Sequence, residues 1–328
     1  MSVSDFGVTA EGAPCRLVRI SDGALSVELI EFGCVTRDIR LEGLGRSLVL
    51  SLPTLADYEA NAARHLGAVA GRVANRIAGG RFEIDGKGHQ ASCNVGGVTT
   101  LHGGDRGFGR SMWSLVDHGP DRARFRIRQE DGWEGFPGAI EAEADYRVAG
   151  GALSFELTAR AEAATICNLA QHSYYNLSGE DRVDGHLLEL AAGRLTPLGP
   201  DMCPTGEVRA VTPEEDFRTP RPLGPAPRDV NYVLADAPRA EPAFAARLSG
   251  GGVAMEMETT APGVQLYTAD GVAPPIPGRN GRRYGPRSGV CLEAQHWPDA
   301  PNHPGFPPIL LRPGELWRQL TRIRFLRA

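Results

Sequence analysis

The stretch Ile140–Leu157, IEAEADYRVAGGALSFEL, decides the fold class. Ile140, Ala142, Ala144, Tyr146 and Val148 alternate with other residues, and the alternation resumes at Leu153, Phe155 and Leu157. Successive side chains of a strand point to opposite faces, so this period of two predicts two strands. Gly150-Gly151 between them predicts a hairpin turn. The same pattern spreads outward in both directions. Leu25, Val27 and Leu29 precede Gly33; Phe82 and Ile84 precede an Asp85-Gly86 turn; Phe125 and Ile127 form a further run. Towards the C-terminus come Val253, Met255 and Met257, then Val264 and Leu266, then Val290 and Leu292. Helical patterns are few and short, the best being Thr54–Arg64 with Thr54 as N-cap. Forty-one glycines and 25 prolines suit the many turns of an all-β fold. The expectation is one domain over residues 1–328, built of large twisted β-sheets with long loops. Thr212–Arg228 is Pro-rich, but Asp216-Phe217-Arg218 within it reads as an ordered loop rather than a hinge.

Composition narrows the class. With 328 residues, 41% hydrophobic and 23% charged, the chain matches ordinary globular proteins. A net charge of -5 argues against a nucleic-acid or anionic-membrane partner, which would want a basic patch. No apolar run reaches the roughly 18 residues of a membrane span, and the N-terminal MSVSDFGVTAEGAPCRL has no signal-peptide pattern. These features predict a cytoplasmic protein. The six cysteines (15, 34, 93, 167, 203 and 291) are scattered, which predicts reduced thiols rather than a disulfide frame. His296 and His303 flank a Pro-rich loop, and no metal is expected there. No phosphate-binding glycine motif is present, so no nucleotide cofactor is expected. Lys87 is the single lysine and sits in a predicted exposed hairpin, which leaves Schiff-base chemistry without a candidate.

Five segments carry residues suited to chemistry. In Cys291–Phe306, CLEAQHWPDAPNHPGF, alternation puts Cys291, Glu293 and Gln295 on one face of a strand and Leu292 and Ala294 on the other. A carboxylate so placed must be paired, solvated in a cleft or used. Gly71–Phe82, GRVANRIAGGRF, holds Asn75-Arg76 between glycines, and a rigidly held arginine can donate several fixed hydrogen bonds. Leu101–Trp113, LHGGDRGFGRSMW, sets His102 beside glycines that let backbone approach a ligand, with Trp113 as a candidate apolar wall. In Ile166–Gly179, ICNLAQHSYYNLSG, strand alternation places Asn168, Ala170, His172 and Tyr174 on one face, which suits a polar cleft with an imidazole. Gln265 and Tyr267 share a face of Thr259–Thr268, and Gln265 can pair with adjacent hydroxyls. Asp229, before a strand, is ambiguous alone.

Taken together and in this order, these segments resemble the aldose 1-epimerase (galactose mutarotase) family. The resemblance runs from the LSVELI run through GRVANRIAGGRF, LHGGDRGF, HSYYNLSG and LEAQHWPDAPNHPGFP to LRPGE at Leu311–Glu315. It implies a large antiparallel β-sandwich of the galactose mutarotase-like supersandwich type. It also implies Glu293 as general base and His172 as general acid. Asn75, Arg76, His102, Tyr174, Asp229 and Gln265 match substrate-binding positions. Two departures stand out: Val230 where the family commonly has histidine after the aspartate, and Tyr175 where phenylalanine is usual. The first leaves open which sugar fits.

The activity so implied is interconversion of the α and β anomers of a free aldose such as glucose or galactose. It needs one positioned base and one positioned acid, each commonly worth about 10²–10⁴-fold, and no cofactor or metal. The expected partner is a small sugar, and the chain is expected to act as monomer or homodimer. Competing readings are a non-catalytic carbohydrate-binding or sensor protein, and an epimerase for a sugar phosphate, pentose or deoxysugar. A phosphate site would draw on Arg279, Arg282, Arg283 and Arg287, which more simply read as a solvated charge run. A glycoside hydrolase would want paired carboxylates across the scissile bond, whereas Glu293 is expected opposite an imidazole.

Overall fold

A computed structural model describes residues 2–327 apart from Pro274. It is built almost wholly of strands, and each pairing between its strands is antiparallel. The Ile140–Ala149 and Ala152–Ala161 strands pair residue for residue across the Gly150-Gly151 turn. They lie within a nine-stranded sheet that also takes in Arg122–Gln129, the C-terminal strand Trp317–Arg327, Val253–Thr259 and Ala243–Gly250. A six-stranded sheet carries the strands Tyr174–Tyr175, Val290–Gln295, Gly263–Tyr267, Asp229–Val233, Arg194–Thr196 and Arg209–Ala210, in that spatial order. A four-stranded sheet covers Ser2–Val8 to Val35–Leu41.

The apolar half of each alternating pattern makes the sandwich. Val264, Leu266, Val290, Leu292 and Tyr232 share one buried cluster with Ala142, Ala144, Tyr146, Leu157, Met255, Met257 and Ile323. One face of the six-stranded sheet therefore packs on the nine-stranded sheet, and its other face is free to carry polar groups. The helical reading is shorter than expected. The α-helix spans Leu55–Ala60, with Thr54 and Asp57 forming a reciprocal capping box, and a single 3₁₀ turn, Ala62–Arg64, follows. All six cysteines are free, and five are buried. Phe217 is fully buried, which anchors the Pro-rich loop around it.

Two local expectations are corrected. The segment Ile166–Tyr175 is not one strand but three two-residue pieces, Thr165–Ile166, Ala170–Gln171 and Tyr174–Tyr175, each paired to a different neighbour. Trp113 forms no ligand wall; it is buried in the main core and its indole N–H donates to the Phe108 carbonyl at 3.0 Å.

Candidate active site

The polar face of the six-stranded sheet forms the floor of a cleft of about 460 Å³. Register fixes the floor. Gln265 lies directly opposite Glu293, Asn231 opposite Gln265, Tyr267 opposite Asp229 and Cys291 opposite Tyr174. Because side chains alternate, Glu293, Cys291 and Gln295 fall on the cleft side, while Val290 and Leu292 enter the core. Val230 and Tyr175 are settled the same way. Both pack with the main core cluster, so neither departure from the family pattern reaches the cleft.

The walls come from loops. His65, Asn75 and His102 line the cleft, and all three hold left-handed backbone, with φ of 51°, 65° and 52°. Such conformations cost non-glycine residues about 1–3 kcal/mol and persist where surrounding structure enforces them. At His102 the enforcement is visible. Its Nδ1 accepts the Asn75 backbone N–H at 3.1 Å, and its own backbone N–H donates to the Asn75 carbonyl at 3.0 Å. The glycines after it serve a different end from the one expected. A Cβ on Gly103 would sit 2.1 Å from the Gly71 carbonyl oxygen, so these glycines admit a neighbouring loop rather than a ligand.

The Pro-rich segment after Glu293 locks the second wall to the floor. The Asp299 carboxylate accepts the Ala78 N–H at 3.0 Å, and the Asp299 N–H donates to the Arg76 carbonyl at 3.0 Å. The Trp297 indole donates to the Pro262 carbonyl at 3.0 Å. The strand carrying Arg76 is thereby tied to the strand carrying Glu293.

His172 Nε2 stands 3.5 Å from Glu293 Oε1, and both residues are buried. The other Glu293 oxygen has no protein partner. Tyr174 stacks on His172 with ring centroids 5.1 Å apart and is held by a 2.7 Å bond from its hydroxyl to the Arg64 carbonyl. Cys291 Sγ lies 3.5 Å from His172 Nδ1. Arg76 approaches Asp229 at 3.8 Å, and Gln265 donates to Asp229 at 2.6 Å. Gln265 does not itself line the cleft. It acts through Asp229 and is backed in turn by Gln295 at 3.4 Å.

Burial dominates the electrostatics. Taking an ion out of water costs several kcal/mol, so a buried group without a strong partner shifts towards its neutral form. Burial pushes Glu293 well above the usual carboxylate range; the nearby Asp229 adds to this and Arg76 opposes it. Burial lowers His172 to about 4 and His102 well below the ordinary histidine value. Asp229 is raised by burial, with Arg76 and Gln265 pulling the other way. Burial thus disfavours the charged form of both members of the Glu293–His172 pair, whose nearest polar atoms are 3.5 Å apart.

By distance alone His102, His172 and Glu293 could hold a metal, since one ligand atom from each lies within 4.8 Å of the others. The hydrogen bonding argues otherwise. A backbone N–H donated to His102 Nδ1 leaves that ring's proton on Nε2, where a metal would have to displace it. The set is better suited to giving protons and hydrogen bonds.

Of the residues expected from sequence, Asn75, Arg76, His102, His172, Tyr174, Asp229 and Glu293 line this one cleft. Arg279, Arg282, Arg283 and Arg287 do not. Arg279 pairs with Glu28 and Asp38, and Arg287 with Asp184 and Asp270. His303 pairs with Asp299 at 3.2 Å rather than with His296. The sequence reading missed His65, Arg64, Met202, Arg228 and Asp270 as lining residues, and it left Tyr267 without a place in the site. Tyr267 was detectable by alternation from Gln265. His65 carried no periodic signal.

An antiparallel supersandwich with a buried carboxylate–imidazole pair in a polar cleft defines a galactose mutarotase-like protein. A sequence model of the family described as Aldose 1-epimerase matches residues 16–324. The chain is 36% identical to the galactose mutarotase of Homo sapiens, with 96% of this chain and 95% of that protein aligned. It is 30% identical to the aldose 1-epimerase of Escherichia coli K12, over 96% of each. Among solved structures, a GalM/aldose epimerase homologue from C. elegans superposes with a TM-score of 0.89 at 28% identity, covering 95% of this chain and 99% of that one. The chain belongs to the aldose 1-epimerase family.

Proposed function

We propose that this protein is a mutarotase acting on a free aldose such as glucose or galactose, with Glu293 and His172 exchanging the protons. The observation that carries the reading is the buried 3.5 Å contact between these groups on the floor of a polar cleft. The base removes the proton of the anomeric hydroxyl while the acid protonates the ring oxygen. The C1–O5 bond breaks, O1 becomes the aldehyde oxygen, and rotation about C1–C2 precedes closure from the other face. On closure the two groups swap roles, so the enzyme ends with the proton count it began with. Glu293 serves as base and His172 as acid in the ion-pair form, which the resting pair reaches by one internal proton transfer without changing net charge.

The remaining groups place the sugar. His102, offering Nε2–H, and Arg76 polarise the reacting end. Asp229, held by Gln265, accepts from hydroxyls, and Asn75 and Tyr174 complete the walls. Of the cleft arginines, Arg76 is already paired with Asp229 at 3.8 Å. Arg64 is also spent on the Gly271 and Ala273 carbonyls, so a phosphate finds no free cationic pocket. A sensor would have no use for the proton-sharing pair.

Polarimetry of purified variants tests the assignment. Glu293→Gln and His172→Ala should each lower turnover by about 10²–10⁴-fold while unfolding like the parent. Near-parental rates in either would remove that residue from the proposed chemistry.

A further inference from the structure

His65 lies outside the residues that the family resemblance matches, yet its side chain is a built part of the cleft. It is buried, 4% exposed, at the left-handed end of the 3₁₀ turn Ala62–Arg64. Its ring centroid is 4.6 Å from that of His102 and 6.1 Å from that of His172. Among the described residues neither ring nitrogen has a hydrogen-bond partner, and Nδ1 is wholly buried. Nδ1 abuts the backbone of Gly109, where even a Cβ would approach it to 2.7 Å. The Nε2 edge is therefore the one left to face the cleft that His65 lines.

With no partner on the protein, the Nε2 edge leaves a polar group in the cleft wall for water or a bound molecule to satisfy. We propose that His65 is a specificity-determining residue whose Nε2–H hydrogen-bonds a sugar hydroxyl flanking the C1–O5 bond. The position follows from the row of rings: His65 adjoins His102, which adjoins His172 at the reacting pair. The hydroxyls that flank that bond are those on C2 and on C6. Burial lowers the His65 pKa to about 3, so the ring is neutral and carries a single proton. With Nδ1 sealed against Gly109, that proton sits on Nε2.

The inference rests on the mutarotase reading, and the test separates the two. Mutarotation rates of D-galactose, 2-deoxy-D-galactose and D-fucose (6-deoxygalactose) are compared for the parent, His65→Phe and His65→Gln. His65→Phe keeps a ring against His102 but removes the donor. It should lower kcat/KM on galactose by about 5–10-fold, the usual worth of one neutral hydrogen bond. On one deoxysugar, parent and His65→Phe should agree within about twofold, and that sugar names the hydroxyl. His65→Gln, which restores a donor, should recover part of the loss. Both variants give up the same left-handed histidine, so their difference isolates the hydrogen bond. An equal loss on all three sugars, or no loss on galactose, would overturn the proposal. Parent protein inactive on every sugar would instead refute the mutarotase reading and take this inference with it.

Discussion

Glu293 and His172 are each driven towards neutrality by burial, and this gives the activity a definite pH signature. In the proposed chemistry the pair works while it holds one proton. Below the His172 value of about 4 it gains a second proton and loses its base, so activity should fall there. On the alkaline side it fails as Glu293 gives up its proton, well above the ordinary carboxylate range. The profile of kcat/KM should therefore have its acid limb near pH 4 and its alkaline limb above the ordinary carboxylate range. Asp229 raises Glu293 through its negative charge. Asp229→Asn removes that charge, so its alkaline limb should move to lower pH. A limb that stays in place, or moves up, would show that another group sets it. At this scale the sequence brought out the proposed acid–base pair, because Glu293 and His172 sit in recognisable segments. The cleft position of His65 stayed hidden because it depends on two loops meeting in space, and Val230 packs against the main core.

The elements show why the site is precise. Strand alternation was readable at Ile140–Leu157 and Val290–Gln295, since period-two burial follows from backbone geometry alone. The loops were less so. His102-Gly103-Gly104 looked like a ligand cradle, yet Gly103 exists to let this loop lie on Gly71. Gly103 has φ of +85° with no space for a methyl group. Gly103→Ala should accordingly destabilise the fold by about 2–4 kcal/mol, combining strain with overpacking. Chemical denaturation measures this directly, and an unchanged midpoint would refute the packing described. The broken path of Ile166–Tyr175 was equally hidden. Its backbone pairs in turn with Leu310–Leu311, Val69–Ala70 and Val290–Cys291. No local pattern records such a choice of distant partners.

For the molecule as a whole, the fold buries five histidines whose pKa values are lowered. His65 falls to about 3, His172, His186 and His296 to about 4, and His102 well below its usual value. A histidine with a depressed folded value takes up its proton earlier in the unfolded chain. Its contribution is therefore complete above pH 6.5 and is lost as pH falls towards 4. Glu293, Asp229 and Asp299, with raised values, act in the opposite sense and weaken the fold as pH rises past their ordinary range. Five groups outweigh three, so the thermal midpoint should decline from pH 6.5 to 4.5. A midpoint that rises over that range would contradict the buried, neutral histidines. The central claim is the activity itself, and polarimetry of freshly dissolved α-D-glucose, α-D-galactose and L-arabinose tests it most directly. The account predicts that catalytic amounts of the protein speed the approach to anomeric equilibrium for at least one of them, without added metal or cofactor. Unchanged spontaneous rates for all three would contradict it.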